Sequence, residues 1–539
     1  MSGRLRRRTG ALGALIAATL AGSCNQSGKG LPPLPEFADA QRAAWQKAPA
    51  DALGGVVIAD VGHLLGRLRA LRAVISTGPV TKGYVDRGMA AATMALGFDP
   101  LDDAGWRKAG LDPTGPLAIF LGPSNTGQIV FRASDATAAE QTALAWRKLS
   151  DNTDPFGCGA AGALYRCGSP GWKLPDDASH SLWPHVEKNL PAPERAMELV
   201  GYAPLDQGEM KAALDKDESR PFRAMHAGYG AMTIAPERIV LHGGATADDF
   251  AKYASYFTPR PGPSLIGLAS DSLSAGRMTF SPDVVWAKLQ QELGKLGAPE
   301  AGVFNAVAGF DLDKDVVQNL TGEIVYAGFR SDARRSPDGG HRTYVDRLGW
   351  AAVVGTRDDA STRKVADRLG ELIGGAIGSF GASAEALGFK MAYRSEGKDR
   401  KVHWLDIDVD AEKAKVLGTT RLEVFLTSVP GGIAVGIGPV GVEELRLRAG
   451  RKPSAMLDRL PLPEEREAFQ HSPMVFWGKI GEDFAFKDLG RKVADAGMPA
   501  EVASVMTETL AVFQLVYEGM FAATWSPDRV EISYHLSLL

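Results

Sequence analysis

AMTIAPERIVLHG, residues 231–243, and AATWSPDRVEISYH, residues 522–535, align without a gap, with Thr233, Pro236 and Arg238 opposite Thr524, Pro527 and Arg529. Each reads as a β-rich run, a proline followed by an acid, and a second β-rich run. Proline fixes φ for the second position of a type I turn, and the acid is tolerated at the next. Both segments are therefore expected to be β-hairpins. A long hairpin that occurs twice in one chain directs attention to internal repeats before any other feature.

Working outward, further segments match in the same order. GVVIADVGHLLGRLRAL from Gly55 and RMTFSPDVVWAKLQQEL from Arg277 each place a β-rich run before an amphipathic helix. In the second, Val285, Trp286, Leu289, Leu293 and Leu296 form an apolar stripe at helical spacing. Gly97-Phe98-Asp99 matches Gly309-Phe310-Asp311, and Thr114-Gly115-Pro116-Leu117 matches Thr321-Gly322-Glu323-Ile324. QIVFRASDATAAEQTALAWRKL from Gln128 parallels WAAVVGTRDDASTRKVADRLGELI from Trp350, each a strand leading into a helix whose start, at Asp135 or Asp359, offers capping oxygens. The β-rich segments that follow begin at Ala163 and Phe389. Between the copies, FTPRPGPS from Phe257 is too rich in proline for a helix or a central strand.

The fold expected is α+β, two internally duplicated units of antiparallel β-hairpins packed with amphipathic helices and covered on one face. The first repeat is placed at residues 51–256, a Pro-rich linker at 257–264 and the second repeat at 265–539. In layout the chain resembles a group of uncharacterised exported bacterial proteins built from a duplicated α+β unit, a resemblance that carries no motif of known chemistry.

The start of the chain has a different character. Arg4, Arg6, Arg7 and Arg8 precede an uncharged, Ala- and Leu-rich run of 15 residues from Thr9 to Ser23. A span of a bilayer core about 30 Å thick needs close to 20 apolar residues, so the run reads as a cleaved export signal, residues 1–23. It ends in Leu20-Ala21-Gly22-Ser23-Cys24, which resembles the lipobox of bacterial lipoproteins, with Ala21 where the lipobox usually has Leu. The resemblance implies lipid attachment at Cys24, and Asn25 after it implies sorting to the outer membrane. NQSGKGLPPLP, residues 25–35, has the composition of a tether, and residues 24–50 are assigned to the lipidated Cys and that flexible tether. Several acyl chains on one cysteine hold a protein to a bilayer far more firmly than a single chain does.

With Cys24 set aside, only Cys158 and Cys167 remain, and they flank the loop CGAAGALYRC. An oxidising compartment allows a local disulfide there, while no neighbouring Cys or His pair completes a zinc set. Removing the signal takes the formal net charge from −4 to −8. A mildly acidic surface does not suit nucleic acid, whose phosphates need clustered Lys and Arg.

Motifs with chemistry are few. None of the nine histidines falls into HxH or HExxH, and the densest group is His180 and His185 with Asp176 and Asp177. GPSNTG from Gly122 lacks nucleophile-elbow spacing and fits a hairpin turn. Ser361-Thr362-Arg363-Lys364 has SxxK spacing without the companion KTG or SDN motifs, so a helix start with a surface cation is expected. Leu241-His242-Gly243-Gly244 has the letters of an esterase oxyanion loop but ends a hairpin strand. In Asp311-x-Asp313-x-Asp315, Val316 stands where a calcium loop needs Gly. Asp406-x-Asp408-x-Asp410 alternates with Ile407 and Val409 as the wet face of a strand would. GGIAVGIGPVG from Gly431 reads as small residues packed in a sheet, with no phosphate-binding Lys after it. No catalytic, cofactor or metal residues are assigned. The function expected is a non-enzymatic binding or structural module anchored in the cell envelope, with an envelope protein or an apolar ligand as partner; a lipid carrier and a hydrolase are the alternatives.

Overall fold

The computed structural model describes residues 36–538 apart from 76–78, 124–125, 150–155, 170–177, 209, 213–224, 236–237, 249, 296–304, 306–308, 331–347, 387–388, 411–419, 461 and 480–515. The signal, Cys24 and residues 25–35 lie outside the described residues. Within them the chain is α+β, and its strands pair into one 18-stranded antiparallel sheet.

The first half contributes β1 (Gly54–Ile58), β2 (Leu117–Leu121), β3 (Gly127–Phe131), β4 (Gly157–Ala161), β5 (Leu164–Gly168), β6 (Leu199–Pro204), β7 (Met225–Ile234) and β8 (Arg238–Ala247). The second contributes β9 (Ser274–Thr279), β10 (Leu320–Arg330), β11 (Leu348–Thr356), β12 (Phe389–Glu396), β13 (Val402–Val409), β14 (Arg421–Val429), β15 (Gly432–Ile437), β16 (Met474–Gly478), β17 (Val516–Trp525) and β18 (Arg529–Leu538). The closing hairpins expected from the sequence are β7–β8 and β17–β18.

The two halves do not form separate sheets. β8 pairs with β18 along its length, with Ile239 opposite Leu536, Leu241 opposite Tyr534 and Gly243 opposite Ile532. Outward from this seam the order is β8-β7-β6-β1-β2-β3-β5-β4 on one side. On the other it is β18-β17-β16-β9-β10-β11-β15-β14-β13-β12. The two orders run in step, and the hairpin β12–β13 extends the second half alone. The segment from Phe389, expected opposite the one from Ala163, therefore lies elsewhere: β5 sits beside β3, whereas β15 holds the place beside β11. The Gly-rich run of β15 suits that place because a Cβ at Gly436 would meet the Trp350 carbonyl oxygen at 2.1 Å and the Phe425 ring at 2.6 Å.

Side chains alternate across a strand, so the sheet has two faces. One face carries Phe120, Val200, Tyr202, Val325, Phe329, Val353, Val475 and Trp477, all buried. In the first half it lies under the helices Ala38–Trp45 and Trp183–Asn189, and in the second under Pro439–Arg448 and Pro463–His471. The first of these helices corrects the expectation of a tether reaching residue 50. Trp45 is 1 % exposed and packs against Phe120 and Tyr202 at 5.4 and 6.1 Å. Gln41 Nε2 donates to the carbonyls of Met197 and Glu198 at 2.9 and 3.1 Å, so the folded body begins well before residue 51.

The opposite face is covered at its ends. Helices Val61–Ile75 and Ala136–Leu149 lie over Ile58, Leu117, Ile129 and Phe131, and helix Asp359–Ala386 lies over β12 to β15. Asp135 Oδ1 caps the Ala136–Leu149 helix by accepting from the Thr137 and Ala138 amides, as expected. In the second half the cap is Asp358, whose Oδ2 accepts from the Ser361 amide at 2.8 Å, one residue earlier than the sequence suggested. Cys158 on β4 and Cys167 on β5 stand directly opposite each other and are joined by a disulfide.

Candidate functional site

At the seam, on the helix-covered face, a groove of about 630 Å³ is lined by both halves of the chain. β8 supplies Arg238, Val240 and His242, and β18 supplies Glu531, Ser533 and His535. Strand alternation places these side chains together, because in the β8–β18 register His242 faces Ser533 and His535 faces Val240. The His242 and His535 rings stack with centroids 5.8 Å apart and planes 14° apart.

Each histidine is backed by a buried glutamate from a short helix that precedes β6 or β16. His242 Nδ1 donates to Glu194 Oε1 at 2.7 Å, and His535 Nδ1 lies 3.6 Å from Glu465 Oε1. With the Nδ1 proton held by Glu194, neutral His242 keeps its lone pair on Nε2. Among the described residues nothing hydrogen-bonds to His242 Nε2 or to Glu194 Oε2. Arg238 reaches Glu464 at 3.9 Å, and Ser472 and Thr524 share a hydrogen bond of 3.1 Å at the rim. The esterase-like letters around His242 thus belong to a mid-sheet strand with no oxyanion loop, while the histidine itself lines a real groove. Sequence reading missed Glu194 and Glu465. Their common setting, Pro193-Glu194-Arg195 and Glu464-Glu465-Arg466, was a signal that could have found them.

A second polar cluster lies at the ends of β6 to β8. Asp248, His226, Asp206, His185 and Tyr202 form a line: His226 Nε2 is 2.9 Å from Asp248, His226 Nδ1 3.2 Å from Asp206, and His185 Nε2 3.3 Å from Asp206. Tyr202 Oη lies 2.5 Å from His185 Nδ1. Burial lowers the His185 pKa against the pull of Asp206 and pushes that of Tyr202 well above the ordinary phenol range. Tyr202 is buried against Trp45, so this line ends in the core rather than at a cleft. Asp176 and Asp177, expected near His180 and His185, lie outside the described residues.

Other acids singled out in the sequence have structural partners. Asp311 caps the turn that follows it through the Lys314 amide, and Asp315 pairs with Lys364 at 2.7 Å, which also accounts for the lysine of the SxxK spacing. Asp406, expected on a wet face, is buried and binds Arg394 and Arg421 at 3.0 and 2.7 Å. Among the described residues no three His, Cys, Asp or Glu side chains converge as a metal site, and no helix is long and apolar enough to cross a membrane.

Among the described residues, the far face of the sheet at its centre carries a cluster of exposed apolar side chains. One register row crosses eight strands through Leu241, Tyr534, Phe521, Phe476, Gly276, Tyr326, Ala352 and Val435. The next row runs through Gly243, Ile532, Ala523, Met474, Met278, Ile324, Val354 and Ile433. Tyr534 and Phe476 are each 45 % exposed, Val435 43 %, Ile532 38 % and Trp350 36 %. The apolar stripe of helix Pro282–Lys295 is exposed at Val285 and Leu289.

No known family model, curated protein or solved structure matches the chain. Its chemistry is read from its own geometry.

Proposed function

We propose that the protein is a membrane-anchored envelope lipoprotein, a non-enzymatic binding module that docks an envelope protein on the open apolar face of its sheet. In this reading the chain is an internal duplication, acyl chains on Cys24 hold it to the outer membrane, and residues 25–35 tether it. The observation that carries the reading is the pair of apolar rows across eight strands. Strands spaced about 4.8 Å apart make the rows roughly 35 Å long. Along them Tyr534, Phe476, Ile532 and Val435, with Trp350 beside them, keep more than a third of their surface exposed, and a cluster of exposed apolar side chains of this kind marks a contact surface.

The position of the anchor supports a protein partner. Glu36 lines the groove on the opposite face, and the Phe37 amide donates to the Ala196 carbonyl at 2.9 Å. The chain thus enters the body on the helix-covered side, and in this reading the tether approaches from the side opposite the apolar rows. A lipid carrier would enclose its ligand in an apolar cavity, whereas the seam groove sets four carboxylates, two histidines and Arg238 into its lining. A hydrolase would place a nucleophile beside its base, whereas among the described residues no hydroxyl hydrogen-bonds to His242 Nε2.

Two variants test the two parts of the proposal. Cys24→Ser is expected to move the protein from the membrane fraction to the soluble one and to abolish labelling by a palmitate analogue; unchanged fractionation would sink the anchor. The double variant Phe476→Ser/Tyr534→Ser is expected to keep the anchor and lose a partner that co-purifies with the wild-type protein. A partner retained at wild-type yield would move the docking site elsewhere.

A further inference from the structure

We infer that the seam groove binds a small organic cation, an ammonium or guanidinium compound. Four carboxylates line the groove, those of Glu36, Glu194, Glu464 and Glu531, against one permanent cation, Arg238. Arg238 is directed at Glu464, and Glu531 takes Arg529 at 3.4 Å, which leaves Glu194 without a permanent counter-charge at its own position.

Glu194 is where the groove asks for a donor. Its side chain is 10 % exposed, its Oε1 accepts from His242 Nδ1, and its Oε2 has no partner among the described residues. In the neutral imidazole the same hydrogen bond leaves Nε2 beside it as a second acceptor, also without a partner among the described residues. Two buried acceptors on one dyad call for a group that carries several N–H donors and positive charge, and a carboxylate or phosphate ligand would meet the like charges of Glu194 and Glu36 instead. A volume of about 630 Å³ fits a small molecule, and Val240, Ala468 and Ala522 give its carbon skeleton an apolar wall. Glu36, which forms no ion pair among the described residues, can take a second cationic end, which favours a diamine or an aminoguanidine. The site lies on the face opposite the apolar rows and does not depend on their role.

The test is isothermal titration calorimetry on the chain from Asn25 to Leu539, with 1,5-diaminopentane and agmatine as probes and 1,5-pentanediol and glutarate as controls. Saturable binding of a cationic probe at one site is expected, with neither control binding and Glu194→Gln weakening the affinity at least tenfold. Ser533→Lys places a cation in the groove and is expected to abolish binding; it decides the matter if Glu194→Gln does not fold, as judged by circular dichroism. Absence of binding by both cations, equal binding by glutarate or pentanediol, or unchanged affinity in the folded variants would overturn the assignment.

Discussion

The two faces of β18 differ more than the two halves of the chain do. On one face Glu531, Ser533 and His535 line the charged groove beneath short helices; on the other Val530, Ile532, Tyr534 and Leu536 belong to an apolar surface that, among the described residues, is partly exposed at Ile532 and Tyr534. β8 repeats the contrast, with Arg238 and His242 against Ile239 and Leu241. In an ordinary two-layer domain the apolar face is the covered one. Here the helices at the seam shelter polar side chains, while on the apolar side Leu64 and Leu68 cover Ile239 and Leu241 and, among the described residues, Ile532, Tyr534 and Phe476 farther along stay partly exposed, as suits a surface for contact.

Substitutions on either side of one strand should break the symmetry between the faces. The largest effect is expected at Val475, fully buried between the sheet and its helices: Val475→Lys would bury an unpaired charge and abolish folding, whereas Phe476→Lys on the next residue would leave the circular dichroism spectrum native. Phe425→Ala on the covered face is expected to cost about 3–5 kcal/mol in chemical denaturation, the usual range for a buried aromatic. At the outer end of the sheet, replacing Cys158 and Cys167 together with Ser should cost about 2.7 kcal/mol for a loop of this length, provided that the wild-type protein is measured oxidised.

A smaller effect is expected from Glu198, buried between the Ile234 amide and His63, whose Nδ1 lies 2.6 Å away. Burial holds its pKa above the usual carboxylate value, against the opposing pull of His63. A carboxyl whose folded pKa is raised adds stability below its unfolded pKa and loses it as pH climbs through the folded value. Glu198→Gln should therefore remove a decline in stability that the wild-type protein shows as pH rises from about 4, and identical pH profiles for the two would refute this. The smallest effect is expected at Tyr534→Ser, under about 1 kcal/mol, because a half-exposed side chain has little burial to lose; a loss above about 2 kcal/mol would mean that the far face is core.

Much of the fold was legible in the sequence because it depends on local pattern. Pro527-Asp528 between β-rich runs signals a hairpin, and Asp135 ahead of a helical stripe signals a cap. The seam was not legible, since β8 and β18 are far apart in the chain and their register is fixed only when both edges meet. Glu194 came into the site for the same reason, brought to His242 from a four-residue helix with no periodicity to reveal it. The helix Ala38–Trp45 could have been found: Phe37, Gln41, Ala44, Trp45 and Ala48 recur at helical spacing, a pattern overlooked beside the Pro- and Gly-rich run before it. Conversely, the stripe that includes Val285 and Leu289 was legible as an apolar side but its exposure was not, because amphipathicity identifies a side that seeks burial without saying what covers it.

The most direct test of the central claim is site-specific photo-cross-linking in intact cells, with benzoylphenylalanine placed at Phe476 or Tyr534 on the open face and at Glu464 or Ser533 on the groove side. One defined protein adduct from both open-face positions, absent from both groove positions, is the result expected of a docking surface. No adduct from Phe476 and Tyr534, or the same adducts from both sides of the sheet, would contradict it.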